Sequence, residues 1–343
     1  MTGLPVGMPE FAVLPDLASR ALGGSVVAAN DDLFAEKENL IKPGPPDFAA
    51  AAFGPRGKVY DGWETRRRRD PGHDHAIVRL GLPGIVRGVI VDTAYFRGNY
   101  PPEISVEATC ADGYPAPAEL AALPWQTLVG RSAAAGDTTN GYQVASDRRW
   151  THLRLSIYPD GGVARFRVHG EVLADPAFLD GTVDLAALEN GGTLLDASDS
   201  FYSSAVNLIM PGRARGMHDG WENARRRGPG NDYVVVGLAG AGLPRHVEID
   251  TSYFVGNAPG WVSLSGAGEN GQWRELLPRT RVQPDTRHRF GVTAAGPVTA
   301  VRLDVYPDGG LARLRLPGKL TPAALAALQT RWTSAGPAAR PGP

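Results

Sequence analysis

At positions 61–69 the chain reads Asp61-Gly-Trp-Glu-Thr-Arg-Arg-Arg-Arg69, and 158 positions later it reads Asp219-Gly-Trp-Glu-Asn-Ala-Arg-Arg-Arg227. The same spacing separates Asp92-Thr-Ala-Tyr-Phe-Arg-Gly-Asn99 from Asp250-Thr-Ser-Tyr-Phe-Val-Gly-Asn257. A third motif, Tyr158-Pro-Asp-Gly-Gly-Val-Ala-Arg165, returns after 148 positions as Tyr306-Pro-Asp-Gly-Gly-Leu-Ala-Arg313. Solenoid repeats are only about 20–50 residues long, so this spacing indicates a duplicated domain.

The chain of 343 residues has room for two domains of ordinary size. We expect the first repeat over residues 24–175, a linker over residues 176–192 and the second repeat over residues 193–320. Residues 321–343 are expected to form a C-terminal helix, capped by Thr321 and started by Pro322, and then a flexible tail.

Short segments rich in β-branched residues, separated by Pro and Gly, dominate both repeats. Residues 150–158 and 163–168 alternate between polar and apolar side chains, and Pro159-Asp-Gly-Gly162 stands between them. Such a turn between two alternating segments predicts a β-hairpin. We therefore expect an all-β protein in which each repeat is a sandwich or jelly roll.

The composition excludes several classes of partner. A formal net charge of −1 gives no electrostatic basis for binding nucleic acid or an acidic membrane. Cys110 is the only cysteine, and no secretion signal or long apolar run stands out in the sequence. We expect a cytoplasmic protein without a membrane partner; a homo-oligomer is compatible with the sequence, which does not decide the oligomeric state.

The Asp61-Gly-Trp63 turn is expected to be a structural corner in which Asp61 accepts backbone N–H groups and Trp63 fills the end of the sandwich. Glu64 and the arginines that follow it are less easily explained by such a turn. Arg67 and Arg68 each have an arginine at the matching position of the second copy. Retained charge indicates either internal ion pairs or ligand binding, and both alternatives stay open.

Histidines distinguish the first copy from the second. His73 and His75 flank an aspartate, and His152 is a candidate third ligand if the group binds a metal such as zinc. The matching positions of the second copy hold Asn231, Tyr233 and Ala300. The histidines are candidates for metal binding, catalysis or substrate contact, or they are ordinary surface residues.

A third group of polar residues lies at the predicted ends of strands. Asp92 follows an apolar segment and Asn99 follows a glycine, while Arg165 alternates with apolar residues. Each is either architectural or faces a ligand.

Taken together, these motifs resemble those of the allantoicase family. The resemblance spans roughly residues 24–320 and rests on several unusual motifs in fixed order, each present twice. The first-copy residues that carry it are Asp61-Gly-Trp-Glu-Thr65, Gly72-His-Asp74, Asp92-Thr93, Phe96, Gly98, Asn99, Thr151-His-Leu-Arg-Leu155, Tyr158-Pro-Asp-Gly-Gly162 and Ala164-Arg165. The resemblance implies two tandem jelly-roll domains of the galactose-binding-like type and hydrolysis of allantoate to ureidoglycolate and urea in purine degradation.

Allantoate carries one carboxylate and two ureido groups on a single carbon, which suggests roles for the candidate residues. We expect Arg67 or Arg68, with Arg165, to bind the carboxylate. Asn99 and His152 are further candidates for substrate contact. The acid and base required for hydrolysis are expected among Glu64, His73 and Asp92. No metal site or cofactor is assigned, and a divalent metal stays open as an alternative.

Two other functions remain open at this stage. The chain is alternatively a non-catalytic jelly-roll module that binds a carbohydrate or another small polar ligand. The missing secretion signal and disulfides, which secreted lectins commonly have, disfavour this alternative. In the second alternative, only one of the two repeats is catalytic. The histidines that have no match in the second repeat then favour the first repeat as the catalytic one.

Overall fold

The computed structural model describes residues 8–49, 51–55, 57–293 and 296–336. It divides the chain into two compact units, with the main boundary between Leu173 and Ala174. Each unit holds one copy of the repeated motifs and consists mainly of β-strands, so the predicted all-β duplication is confirmed. No helix in the described residues is long and apolar enough to cross a membrane.

The strands of the first unit form two layers that share one long strand. They are β1 (Ser25–Ala29), β2 (Phe53–Gly54), β3 (Gly57–Lys58), β4 (Trp63–Glu64), β5 (Asp74–Asp92), β6 (Glu103–Thr109), β7 (Gln126–Ala133), β8 (Thr139–Gln143), β9 (Arg149–Tyr158), β10 (Gly162–Val163) and β11 (Arg165–Val172). One layer has the order β1-β5-β9-β6-β7. The C-terminal part of β5 pairs with β8 and β11, which form the other layer with it.

The second unit repeats this plan, with the long strand divided in two. Its strands are β12 (Val183–Asp184), β13 (Thr193–Ala197), β14 (Asp232–Pro244), β15 (His246–Asp250), β16 (Trp261–Ala267), β17 (Trp273–Arg281), β18 (Arg287–Gly291), β19 (Val298–Tyr306), β20 (Arg313–Arg315) and β21 (Pro317–Leu320). The larger sheet has the order β12-β21-β14-β19-β16-β17, with β13 on β14. The smaller sheet is β18-β15-β20.

Helices are few and short in the described residues. The α-helices are α1 (Pro117–Ala121) and α2 (Pro322–Ser334), and the 3-10 helices are Glu10–Val13, Arg20–Leu22, Lys37–Ile41, Pro176–Phe178, Leu188–Asn190, Ala205–Ile209 and Met217–Asp219. The Thr321 hydroxyl accepts the Ala324 N–H at 3.1 Å, as expected of the predicted cap of α2. The predicted tail extends over residues 337–343, which lie outside the described residues. In the predicted linker, β12 pairs with β21 of the second unit.

The repeated Asp-Gly-Trp turn buries its tryptophan in both repeats. Trp63 and Trp221 are fully buried, and their indole N–H groups donate to the carbonyls of Asp31 at 2.7 Å and Asp199 at 2.8 Å. A buried indole needs such an acceptor to offset the loss of water. The expectation of a structural corner at Trp63 is confirmed.

The predicted hairpin between residues 150–158 and 163–168 is wrong. Strand β9 pairs with β5 and β6, whereas β11 pairs with the far end of β5, so the turn carries the chain from one layer to the other. A Cβ at Gly162 would lie 2.1 Å from the Phe96 ring. Gly162 therefore allows the crossing chain to pack on Phe96, a requirement that hydrophobic alternation does not reveal.

Candidate active site

A cavity of about 750 Å³ lies on the outer face of the larger layer of the first unit. Alternation along β9 places Leu153, Leu155 and Ile157 in the core, so the residues between them point outward. Cross-strand pairing aligns outward residues of β5, β9 and β6 in rows, one of which is His75, Ser156 and Ser105. The cavity is lined by Asn30, Arg68, Gly72, His73, His75, Ser105, Glu107, Thr127, Gly130, Arg131, Arg154, Ser156 and Tyr158.

Two arginines on this face are each held by a carboxylate. Arg154 donates from Nε at 2.9 Å and from Nη2 at 2.6 Å to the same oxygen of Glu107. Arg131 binds one oxygen of Glu103 in the same manner and lies 4.4 Å from the centroid of the Tyr158 ring. Nη1 of each arginine has no hydrogen bond to the described residues, which leaves N–H donors for an anion.

Two histidines face each other near the same tyrosine. The His73 ring lies 6.3 Å from the His75 ring and 4.8 Å from the Tyr158 ring, measured between centroids. The Tyr158 hydroxyl is 2.9 Å from Ser105 Oγ. Burial lowers the pKa of His75 below its ordinary value, and the charge of Arg154 lowers it further. His75 is therefore neutral near pH 7 and able to accept a proton.

One edge of the cavity is fixed by Arg68 and Asp74. Arg68 Nη2 donates to Asp74 Oδ1 at 2.9 Å, and its backbone N–H donates to Asp160 at 2.7 Å. Asn30 donates to Asp74 at 2.9 Å and accepts the backbone N–H of His75 at 2.7 Å. The buried Asp74 carboxylate thus positions the backbone that carries both histidines.

Comparison with known proteins identifies the family. The sequence model of the allantoicase repeat matches residues 15–173 and 183–321. The chain belongs to the allantoicase family. A probable allantoicase from Nocardia farcinica is 58% identical over 314 residues, which are 90% of this chain and 95% of that protein. A probable allantoicase from Streptomyces coelicolor is 52% identical over 341 residues, which are 95% of this chain and 91% of that protein.

Solved allantoicase structures share the fold. One, described as allantoicase, has a TM-score of 0.79 at 34% identity and covers 89% of this chain and 93% of its own. The allantoicase of Saccharomyces cerevisiae has a TM-score of 0.78 at 33% identity and covers 89% and 92%. The family resemblance read from the motifs and the tandem jelly-roll prediction are both confirmed.

Of the eight residues predicted for an allantoicase site, only Arg68 and His73 line the cavity. Glu64 and Asn99 contact each other elsewhere, because Asn99 Nδ2 donates to Glu64 at 2.7 Å near the Trp63 turn. Burial raises the pKa of Glu64, although the Asn99 hydrogen bond lowers it. The same pair recurs as Asn257 and Glu222 in the second repeat, which indicates a role in the fold.

The structure does not bring Asp92 or Arg165 to the cavity. They face each other in register on β5 and β11, in the other layer. Arg165 is buried, and its five N–H groups all donate to protein oxygens, including Asp61 Oδ2 at 2.5 Å. Burial alone would raise the pKa of Asp61. Hydrogen bonds from Arg165 and Lys42 nevertheless lower this pKa to about 2. Arg165 therefore has no donor left for a substrate carboxylate.

His152 and Arg67 are also placed away from the predicted contacts. His152 pairs in register with Arg79, four residues along β5 from His75, which corresponds to about 13 Å. It is buried, its Nδ1 lies 2.9 Å from the Thr151 hydroxyl, and burial lowers its pKa to about 4. Arg67 is exposed and makes no hydrogen bond to the described residues. In the described part of the chain, no three His, Cys, Asp or Glu residues are grouped to hold a metal.

Several cavity residues escaped the sequence prediction. Glu107 and Arg131 lie outside the repeated motifs. Arg154, Ser156 and Tyr158 were detectable, because strict alternation along residues 150–158 places them on one face.

Proposed function

We propose that this protein hydrolyses allantoate to ureidoglycolate and urea in the cavity of the first repeat. Membership of the allantoicase family supports the reaction. One observation supports the location: the cavity combines two arginines that have uncommitted N–H donors with two histidines and a carboxylate.

Substrate binding is assigned to the two arginines. The carboxylate of allantoate accepts N–H groups from Arg131 and Arg154, which are held in place by Glu103 and Glu107. The ureido groups donate to the oxygen of Glu107 that Arg154 leaves open, and they accept from Ser105 or Ser156. An arginine already fixed by a carboxylate loses little side-chain entropy when the substrate binds.

The chemical step needs a base and an acid on opposite sides of the central carbon. His75, kept neutral by its lowered pKa, accepts a proton from water as the water oxygen bonds to that carbon. The C–N bond to one ureido group breaks, and His73 protonates the departing nitrogen to give urea. The His75 proton then returns to solvent and His73 takes up a proton from solvent, which closes the cycle without a covalent intermediate.

Purified protein incubated with allantoate tests this proposal. We expect saturable release of one urea and one ureidoglycolate per allantoate, measured with and without a chelator such as EDTA. An unchanged rate with EDTA favours acid–base catalysis by side chains alone, and a lost rate restored by a divalent cation favours the metal alternative. Absence of urea release from folded protein would contradict the proposal and favour the binding module.

The location within the chain needs its own experiment. His73→Asn and His75→Tyr introduce the residues found at matching positions of the second repeat. We expect each to lower kcat by about 100-fold or more, as loss of a general acid or base does. Unchanged kcat in both variants would exclude this cavity as the reaction site. The cytoplasmic location and a homo-oligomeric state remain predictions from the sequence.

A further inference from the structure

A second cleft, of about 350 Å³, lies on the outer face of the smaller sheet of the second unit. Two rows of charged residues cross this sheet, each with a carboxylate between two arginines. Asp250 pairs in register with Arg287 and Arg313, and Glu248 pairs with Arg289 and Arg315. The lining includes five arginines, the fifth being Arg213, but only three carboxylates, so positive charge is in excess.

Part of this charge belongs to the fold. Arg313 is buried and donates to the carbonyls of Gly212 and Asp219, as Arg165 does to those of Gly44 and Asp61. Arg315 likewise donates to the carbonyls of Met210 and Gly212, matching Arg167 on those of Lys42 and Gly44. Residues present in both repeats with the same partners are explained by structure alone.

The remaining charge has no counterpart in the first repeat. Cross-strand register places Glu248, Arg287 and Arg289 where the first unit has Ile90, Thr139 and Gly141. The fold therefore forms without these three charged side chains.

In the first unit the matching face is covered by the segment before β1. Phe11 lies so close that a Cβ at Gly88 would be 2.4 Å from its ring. A Cβ at Gly141 would be 3.1 Å from the Pro9 ring. Gly88 is replaced in the second unit by His246, which lines the cleft. One sheet face is thus apolar and covered in the first repeat, and charged and open in the second.

The added arginines retain donors for a ligand. Arg287 and Arg289 donate to Glu248 through Nε, and their side chains are 43% and 63% exposed. Their Nη groups make no hydrogen bond to the described residues. Arg213 is exposed and makes no hydrogen bond in the described part of the chain. Glu248 therefore orients two guanidinium groups whose outer edges remain free.

We propose that this cleft binds a small oxyanion with at least two negative charges, a dicarboxylate or a phosphate. Guanidinium groups recognise both chemistries through paired N–H donors. The volume lies at the lower end of the range for small-molecule sites, which fits a compact anion. This site is separate from the cavity of the first repeat and does not depend on the reaction proposed there.

Calorimetric titration of the full-length protein with succinate, inorganic phosphate and acetate at constant ionic strength tests this proposal. We expect saturable binding of succinate or phosphate at least about 10-fold tighter than that of acetate, because acetate offers one charge. Whichever divalent probe binds more tightly identifies the ligand class. No saturable binding of either divalent probe up to about 10 mM, an affinity limit near 3 kcal/mol, would overturn the proposal.

Variants locate the binding. Arg213→Gln removes an exposed side chain that makes no hydrogen bond in the described part of the chain, so the fold should be kept; we expect affinity to fall at least about 10-fold. The double variant Arg287→Gln and Arg289→Gln is expected to weaken binding further.

The matched control is Arg281→Gln, which changes an exposed arginine of β17 outside the cleft. It should change affinity less than about 2-fold. Equal affinities of the Arg213 and Arg281 variants would contradict the assignment. Urea release by the same samples monitors the first repeat separately.

Discussion

The larger layers of the two repeats share the same outer frame but differ in what occupies it. Arg131 lies 4.4 Å from the Tyr158 ring, and Arg279 lies 4.3 Å from the Tyr306 ring. Each tyrosine hydroxyl meets a serine, at 2.9 Å from Ser105 and at 3.0 Å in the second repeat. An arginine, Arg154 or Arg302, occupies the same register position in both.

The two faces differ in the carboxylate that pairs with the arginine and in the two residues that replace the histidines. Asp304 stands where the first repeat has Ser156, and it accepts Arg302 at 3.0 Å and Asn231 at 2.8 Å. Tyr233 stands where the first repeat has His75, and its ring lies 3.8 Å from the Arg302 guanidinium. Both arginines are therefore paired with a carboxylate and lie on a ring, since Arg154 has Glu107 and Trp125, and only the first repeat keeps two histidines beside its arginine.

This comparison separates fold from function. Groups found in both repeats with the same partners maintain the sandwich, and groups found in one repeat are free to serve chemistry. The first repeat keeps a polar cavity on its larger layer, and the second keeps a charged cleft on its smaller one. We therefore propose that each repeat uses a different face.

The largest expected effect concerns the shared frame. Arg165→Met and Arg313→Met should each lower the free energy of unfolding by about 3 kcal/mol, because each leaves buried carbonyls and an aspartate without their donor. Urea denaturation measures both. A stable but inactive Arg165 variant beside an unstable Arg313 variant would show that Arg165 serves the substrate.

The next effect comes from copying one residue between repeats. Ser156→Asp should pair with Arg154 as Asp304 does with Arg302, and it should repel the substrate carboxylate. We expect kcat/KM for urea release to fall about 30-fold, or about 2 kcal/mol. The reciprocal control, Asp304→Ser, should stay within about 2-fold of the original protein. Equal losses of kcat/KM in both variants would show that the outer faces of the two larger layers do not differ in function.

The dependence of activity on pH tests the role of His75. Because its pKa is lowered, His75 stays neutral to more acidic pH than a free imidazole, and activity should fall only as pH drops below the ordinary histidine range. The pH profile of kcat/KM measures this limb. In Arg154→Gln the acidic fall of kcat/KM should move to higher pH, because removal of a nearby positive charge raises the pKa of His75. An acidic fall that persists unchanged in His75→Gln would exclude His75 as its source.

The smallest effect is expected at Arg67. It is exposed and makes no hydrogen bond to the described residues, so Arg67→Gln should change kcat/KM by less than about 2-fold. The matching variant Arg225→Gln should behave alike. If kcat/KM falls more than 10-fold in Arg67→Gln but not in Arg225→Gln, Arg67 is a substrate contact after all.

Much of the fold was predictable from sequence, because duplicated motifs and alternation report strands directly. Strand partners were not, since alternation along β9 and β11 is the same whether they pair or cross between layers. The glycines of the Tyr158-Pro-Asp-Gly-Gly162 turn are visible in the sequence, but the need for Gly162 follows only from its packing on Phe96 in the folded chain.

The site was less predictable for a physical reason. A search guided by repeated motifs favours residues that both sandwiches need, such as Glu64, Asp92, Asn99 and Arg165. Residues that distinguish the repeats, such as Glu107 and Ser156, carry no motif and are brought together only by cross-strand register. The unmatched His73 was the one predicted acid–base residue that lines the cavity.

Urea release by Arg154→Gln and Arg302→Gln, measured side by side at saturating and limiting allantoate, tests the central claim most directly. Both arginines occupy the same register position, so the pair isolates function from fold. We predict that kcat/KM falls at least about 100-fold in Arg154→Gln and less than about 2-fold in Arg302→Gln. Equal losses, or a larger loss in Arg302→Gln, would contradict a reaction site in the first repeat.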